Sequence, residues 1–292
     1  MLTNSQQQEI TQHIEQISNK KTHLIGLKPV TGGDINTCYL LQSGVGEFFL
    51  KTNTSRIAST LFAAEFEGLC DLRRQNALRV PQPFLFGEWR EGGSFLLLEA
   101  LSFGGRTNWQ QLAEGLVLLH KIQSTSFGWQ RSNFIGSSPQ HNSRYVHWAE
   151  FWWNERLLPQ LQMAYSAGHS ALKAFEKHLE PCCNELLTHP CQASLVHGDL
   201  WRGNVDFCQS GQPCVYDPAP YYGDREVDLA MSQLFGGFAK DFYEHYQSLW
   251  PLEKGYQQRF VLYNLYHLLN HLNLFGGAYL NQCLSNIKTL LR

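Results

Sequence analysis

Charged residues are scarce in this chain, and neither sign dominates. Asp, Glu, Lys and Arg make up 16% of the 292 residues, and the formal net charge is −2. Soluble domains usually contain about a quarter charged residues, and proteins that bind nucleic acid or anionic membranes carry a clear basic excess. The composition therefore gives no support for a nucleic-acid or membrane partner.

The chain also lacks long apolar runs. Its first residues lack the basic start and the apolar stretch that are typical of a signal peptide. No window approaches the roughly 20 apolar residues that a membrane-spanning helix needs. The first 20 residues are rich in Gln and place Ile10, Ile14 and Ile17 at helical spacing, which predicts a surface helix rather than a signal peptide. We therefore expect a soluble, cytoplasmic protein.

The chain has eight cysteines but no C-x-x-C pair. Disulfide-dense scaffolds are usually shorter, and zinc sites have tighter ligand spacing, so free thiols are expected. Cys38 follows a Gly-rich turn. If that turn contacts a nucleotide, oxidation of Cys38 could inhibit the protein, but a packed strand residue is the favoured alternative.

The most informative motif is His197-Gly198-Asp199-Leu200-Trp201-Arg202-Gly203-Asn204, followed at the end of the next apolar run by Asp217. Phosphoryl-transfer enzymes of the kinase fold place an Asp, an Asn and a second Asp in this order. Asp199 is suited to accept the proton of an attacking hydroxyl, and Asn204 and Asp217 are suited to bind Mg²⁺. Each could instead be a turn former, but the combined pattern favours a metal-phosphate site.

Two neighbours of Asp199 have simpler interpretations. A His two positions before a catalytic base usually braces the loop through a hydrogen bond, which is the expected role of His197. Trp201 either packs in the core or offers an aromatic face to the acceptor substrate.

The first hundred residues predict a small sheet with one long helix. Strands are expected at residues 25–30, 37–42, 48–51, 84–89 and 95–98, and a helix at 58–74. Glu65 falls in the apolar stripe of that helix and needs a partner, for which Lys51 is the candidate. A Lys–Glu pair of this kind directs the lysine to the phosphates of ATP in kinases.

Two further elements complete the predicted nucleotide site. Gly32 and Gly33 form a turn that is not G-x-G-x-x-G, and we assign it to ATP only because the downstream motifs are in register. Glu99, Ala100 and Leu101 follow the last strand and are expected to be the hinge, whose backbone binds adenine.

The remaining chain is predicted to be mostly helical, with helices at 109–119, 145–164 and 258–274 and a hairpin between Asn204 and Asp217. Residues 127–144 are the most loop-like segment. Because 292 residues exceed what one core usually organises, two lobes are expected. We predict an α+β, bilobal protein-kinase-like fold, with a mainly antiparallel-sheet N-lobe at 1–101 and a larger, mainly helical C-lobe at 102–292.

The motif at 197–204, with Asp217-Pro218-Ala219 in place of D-F-G, resembles the aminoglycoside and choline kinase group of kinase-like folds. Trp201 within it resembles the fructosamine kinase (ketosamine-3-kinase) family. Further similarity to this family lies at residues 127–142, 148–162, 221–238 and 266–271. The resemblance covers nearly the whole chain, and only the Gln-rich start is expected to lie outside it.

The resemblance implies an ATP- and Mg²⁺-dependent kinase that phosphorylates the 3-hydroxyl of ketosamines, free or lysine-bound, in deglycation repair. It carries the family's roles to Lys51, Glu65, Asp199, Asn204 and Asp217. The hinge matches as well, and Asp228 is expected to brace the catalytic loop.

Two alternatives remain open at this stage. One is a kinase of another hydroxylated amine, such as an aminoglycoside or a choline-like compound, which an acidic substrate pocket would favour. The other is a non-catalytic nucleotide-binding protein, against which the complete set of lysine, base and metal ligands argues.

Overall fold

The computed structural model describes residues 1–31 and 35–292, so Gly32 and Gly33, predicted to contact ATP, lie outside the described residues. The N-terminal elements are α1 (Asn4–Ser18), β1 (Leu24–Val30), β2 (Thr37–Ser43), β3 (Gly46–Asn53), α2 (Ala58–Gln75), β4 (Pro83–Glu88) and β5 (Ser94–Glu99). The five strands form one antiparallel sheet in the order β1-β2-β3-β5-β4. Every predicted strand in this region is present, with small shifts at the ends.

The two faces of this sheet are covered by different helices. Alternate residues of a strand point to opposite faces, so Leu97 packs in one apolar cluster with Ile10 and Ile14 of α1. Its neighbour Leu96 packs with Phe62 of α2 in the cluster that continues into the rest of the molecule. The prediction of a surface helix at the N-terminus is therefore only partly right, because α1 closes one face of the sheet with two fully buried isoleucines.

Helices dominate the chain after β5. The elements are α3 (Trp109–His120), β6 (Gln123–Ser124), β7 (Asn133–Ile135), β8 (Ser138–Gln140), α4 (Trp148–Trp152), α5 (Leu158–Ser166), α6 (Lys173–Leu186), β9 (Ala193–Val196), β10 (Val205–Phe207), β11 (Pro213–Val215), β12 (Tyr221–Gly223), α7 (Glu226–Gln233), α8 (Lys240–Leu249), α9 (Tyr256–Phe275) and α10 (Leu280–Leu290). Strands β12, β9 and β6 form a small sheet, and β10 pairs with β11 as the predicted hairpin. The largest apolar cluster joins these helices to α2 and β5.

The helix predicted at 145–164 is wrong in its start and in its continuity. Tyr145 pairs with Phe127 in an isolated bridge, so the helix begins only at Trp148. A π-helical turn over Trp153–Leu157 then precedes Pro159. Proline lacks an N–H and cannot donate to the carbonyl four residues earlier, that of Glu155. That carbonyl instead accepts a hydrogen bond from the guanidinium of Arg156, at 3.0 Å.

The cysteines are all free thiols, as predicted. Cys38 is buried in β2, and burial raises the pKa of its thiol to about 11. A thiol with such a pKa is almost fully protonated near neutral pH and reacts poorly with oxidants. The structure therefore favours a packing role for Cys38.

Among the helices at residues 1–31 and 35–292, none combines the length and the hydrophobicity that crossing a bilayer requires.

Candidate active site

The loop that carries Asp199 begins where β9 ends, at Val196. Gly198 has a φ of +82°, a region that favours glycine. A Cβ atom at Gly198 would lie 2.0 Å from the carbonyl oxygen of Ala219, so no side chain fits there. Glycine thus lets the loop cross closely over the segment that follows Asp217.

Asp228 of α7 holds this loop through hydrogen bonds to its backbone. Its carboxylate accepts hydrogen bonds from the backbone N–H groups of His197 at 2.7 Å and Gly198 at 2.9 Å. The imidazole of His120 adds a third bond, at 3.1 Å. Burial disfavours the charged form, but the bonds from His120 and His197 prevail and hold the pKa of Asp228 below its usual value. These contacts match the bracing role expected for Asp228.

We expect Asp228→Asn to destabilise the protein strongly, because an amide nitrogen would then face N–H donors and the charge-assisted bonds would be lost. A loss of about 3 kcal/mol in the free energy of unfolding is anticipated. Urea unfolding followed by circular dichroism measures it, with Asp241→Asn, an exposed carboxylate on α8, as the control. Equal unfolding midpoints for the two variants would contradict the bracing role.

His197 also braces the loop. Its Nδ1 accepts a hydrogen bond from the backbone N–H of Asp199 at 3.3 Å, and its Nε2 lies 3.1 Å from the carbonyl oxygen of Tyr216. A neutral imidazole protonated on Nε2 satisfies both contacts, and burial lowers the pKa of His197 in agreement with this state. His197 therefore ties Asp199 to the strand that leads to Asp217.

Asn204 contacts Asp199 directly. Its side-chain Nδ2 donates to the backbone oxygen of Asp199 at 2.9 Å and to the carboxylate at 3.0 Å. Burial raises the pKa of Asp199 to about 7, and the negative charge of Asp217 acts in the same direction. The carboxylate is thus held beside Asn204, and its surroundings raise its affinity for a proton. A pKa near the working pH suits a group that accepts a proton during catalysis.

Asp217 and Glu65 meet at Lys51. The ammonium group of Lys51 donates to Glu65 at 2.6 Å and to Asp217 at 2.5 Å. Burial alone would lower the pKa of Lys51, but the two carboxylates outweigh it and raise that pKa. The ion pair predicted between Lys51 and Glu65 is therefore present, and it extends to Asp217.

Asp217 itself adopts a left-handed backbone, with a φ of +56°. Asp and Asn tolerate this region better than most residues. Its side chain is 47% exposed, while that of Lys51 is only 6% exposed. The carboxylate therefore emerges from the protein toward open space, with the buried lysine behind it.

A buried polar network supports the segment after Asp217, and it was not predicted from the sequence. Asn133 donates to the carbonyl of Pro220 at 2.9 Å, and Gln140 donates to that of Ala219 at 3.1 Å. Both side chains come from the β7–β8 hairpin, and Gln140 also donates to Asn133. The segment predicted to be loop-like is thus a packed support for the Asp217 turn.

The predicted hinge lies at the end of β5. Glu99 accepts hydrogen bonds from the guanidinium of Arg79 and, at 3.0 Å, from the backbone N–H of Gln82. Ala100 and Leu101 follow outside the sheet and are partly buried. The side chain of Glu99 thus fixes the chain direction at the end of β5, where the hinge is predicted.

Trp201 is neither fully buried nor fully exposed. Its ring lies against Gly203, where a Cβ atom would come within 2.3 Å of the indole. The ring also lies near that of Phe235, at 6.1 Å between centroids. Trp201 is therefore held in a defined position beside the Asp199 loop without belonging to the core.

The donor set fits Mg²⁺ with ATP. The amide nitrogen of Asn204 faces Asp199, which leaves its oxygen to bind a cation, and the carboxylate of Asp217 is accessible. Mg²⁺ prefers such oxygen ligands and usually keeps positions for phosphate and water. Lys51 adds a fixed positive charge beside them.

A comparison of the chain with known families decides its assignment. The model of the family described as fructosamine kinase matches residues 6–292. The chain belongs to the fructosamine kinase family. The match begins within α1, so the expectation that the Gln-rich start lies outside the resemblance is wrong for nearly all of that helix.

Named relatives and solved structures agree with this assignment. A probable ketoamine kinase of Synechocystis sp. is 43% identical over 291 residues, covering 98% of this chain and 97% of the relative. The chloroplastic protein-ribulosamine 3-kinase of Arabidopsis thaliana is 38% identical, with 94% and 85% covered. A crystal structure from Haemophilus somnus, assigned to fructosamine-3-kinase, has a TM-score of 0.88 at 29% identity, with 97% of each chain covered.

More distant structures identify the fold. The aminoglycoside 2′-phosphotransferase-IIIa structure has a TM-score of 0.63 at 14% identity and covers 97% of both chains. The predicted α+β, bilobal protein-kinase-like fold is therefore confirmed. As a member of the fructosamine kinase family, the protein is an ATP-dependent phosphotransferase.

Proposed function

We propose that this protein phosphorylates the 3-hydroxyl of a ketosamine, the adduct that forms when a sugar reacts with an amine. The acceptor is a fructosamine or a ribulosamine, free or carried on a protein lysine, and the reaction serves deglycation repair. The names of the relatives, ketoamine kinase and protein-ribulosamine 3-kinase, support this acceptor class. The observation that supports the site assignment most directly is the convergence of Lys51, Glu65 and Asp217 beside the Asp199 loop.

Residues 1–101 form the nucleotide-binding lobe in this proposal, and residues 102–292 form the catalytic and acceptor-binding lobe. Glu65 holds Lys51 against the phosphates of ATP, and the backbone of Ala100 and Leu101 binds adenine at the hinge. Glu99 belongs to the hinge as well, and its side chain fixes the chain direction there through Arg79 and Gln82. Gly32 and Gly33 cover the phosphates, a role assigned from their position in the sequence relative to the downstream motifs.

Asp199 acts as the base. Its carboxylate takes the proton of the acceptor hydroxyl while that oxygen forms a bond to the γ-phosphorus and the bond from phosphorus to the leaving ADP oxygen breaks. Asn204 and Asp217 hold Mg²⁺, which supplies positive charge against the phosphate oxygens when bound. Asn204 also fixes the carboxylate of Asp199 through its Nδ2.

Mass spectrometry of candidate acceptors tests the acceptor class. We expect fructoselysine or ribuloselysine to gain one phosphoryl group with ATP and Mg²⁺, and a glycated protein to gain it at modified lysines. Kanamycin and choline represent the other hydroxylated amines and should remain unmodified. Phosphorylation of kanamycin or choline alone would overturn the proposal, and nucleotide binding with no transfer to any acceptor would indicate a non-catalytic protein.

A further inference from the structure

Two aromatic rings meet at nearly a right angle, and one of them, that of Trp201, lies on the loop that carries Asp199. The rings of Trp201 and Phe235 have centroids 6.1 Å apart and an interplanar angle of 84°. Trp201 lies two residues after Asp199, and Phe235 follows the C-terminal end of α7. Both are only partly buried, so this aromatic corner borders open space rather than the core.

The backbone of Phe235 is unusual. Its φ is +56°, and the two glycines that follow, Gly236 and Gly237, have φ values of +104° and +70°. A bulky side chain rarely adopts this conformation, and such strained residues concentrate at active sites and ligand clamps. The ring remains partly exposed, so the unusual backbone does not serve to bury it in the core.

The far side of Phe235 is supported by the C-terminal end of α9 and the turn after it. Its ring lies 4.5 Å from that of His271 and 6.3 Å from that of Tyr279, measured between centroids. Tyr279 also contacts His271, at 5.2 Å. Phe235 is thus fixed from behind, as Trp201 is fixed against Gly203.

We propose that Trp201 and Phe235 are two walls of the acceptor site and bind the carbon chain of the sugar, which rests on the proposed function. Aromatic faces make apolar contacts with the C–H groups of a sugar, whose hydroxyls stay free for hydrogen bonds. Because the reacting hydroxyl must reach Asp199, and Trp201 lies on the same loop two residues later, the rings of Trp201 and Phe235 would contact the carbons beside this hydroxyl. The amine end of the ketosamine lies farther away. Phe235 therefore determines affinity for the sugar portion of the acceptor.

Steady-state kinetics of Phe235→Ala and Phe235→Leu test this inference with fructoselysine and ribuloselysine as acceptors. We expect Phe235→Ala to raise the KM of the ketoamine about 10-fold and Phe235→Leu to raise it less, because leucine keeps apolar volume but loses the aromatic face. The KM of ATP should not change. Trp201→Ala should also raise the KM of the ketoamine, because it removes the other aromatic wall of the acceptor site.

Phe275→Leu is the matched control. Phe275 belongs to the same group of rings, contacts His271 and Tyr279, and is 44% exposed. The Phe275→Leu substitution should leave the KM of the ketoamine and the KM of ATP unchanged. Calorimetric titration of ketoamine into the wild-type protein and Phe235→Leu, with a non-hydrolysable ATP analogue present, measures acceptor affinity apart from turnover.

The outcomes separate this inference from the proposed function. If the wild-type protein phosphorylates no ketoamine, the proposed function fails and the inference fails with it. If it phosphorylates ketoamines and Phe235→Leu, folded by circular dichroism, keeps the wild-type affinity, only the inference fails. A lowered melting temperature of Phe235→Ala with unchanged KM would likewise assign Phe235 to stability alone.

Discussion

Replacing Asp199 with Asn should reduce kcat by about 10³-fold while ATP still binds, because general acid–base catalysis by one residue contributes roughly 10²- to 10⁴-fold. The substitution preserves shape, and the amide oxygen at position 199 can still accept the hydrogen bond that Asn204 donates to the carboxylate. The lost property is the ability to take the proton of the acceptor hydroxyl. The fall should therefore appear in kcat rather than in the KM of ATP.

Coupled-enzyme detection of ADP, with the ketoamine at saturation, measures this loss. Asp206→Asn is a suitable control, because Asp206 lies on β10 near the site and its carboxylate accepts a hydrogen bond from the N–H of Phe207, which an amide oxygen can also accept. The control should retain wild-type turnover. Near-normal turnover of Asp199→Asn would refute its assignment as the base.

The sequence predicted which side chains of the candidate site meet, because the deciding signals are local. Asp199 and Asn204 lie five positions apart on one loop, so their contact follows from the short chain between them. The contact between Lys51 and Glu65 could be predicted because a carboxylate in an apolar helix face needs a partner, and β3 and α2 are neighbours in sequence. Asp217 was found because it ends the hairpin that starts at Asn204.

The support of this centre could not be predicted in the same way. Gln140 and Asn133 are buried against residues about eighty positions away, and polar residues in a short segment with Gly and Pro normally indicate a loop. Their burial depends on tertiary contacts that no local pattern encodes. The signal that could have indicated it is the similarity of residues 127–142 to the family.

The backbone conformation of Phe235 could not be predicted from the sequence either. A left-handed backbone is predicted from glycine or asparagine, so a phenylalanine argues against it at the sequence level. The local signal of an unusual turn is the glycine pair that follows, Gly236 and Gly237. Where a residue contradicts its own conformational preference, the structure is needed to find it, and such positions often serve function rather than stability.

Asp217→Asn should lower turnover by more than about 100-fold while the affinity for free adenosine stays unchanged. Loss of groups that merely orient a metal ligand typically costs roughly 10- to 100-fold, so loss of a charged ligand should exceed that range. Asn suits this test better than Ala, because the φ of Asp217 is +56° and Asn tolerates that region while Ala does not. The variant thus removes the charge and keeps the backbone.

Two titrations distinguish a metal role from a folding defect. In the first, activity is measured against Mg²⁺ concentration, and the variant should need more Mg²⁺ for half-maximal activity than the wild-type protein. In the second, binding of adenosine and of ATP with Mg²⁺ is compared, and only the latter should weaken. Adenosine lacks the phosphates that, in the proposed function, Lys51 contacts directly and Asp217 contacts through the metal. Equal weakening of both ligands would assign Asp217 to the integrity of the fold, and unchanged Mg²⁺ dependence would remove it from the metal site.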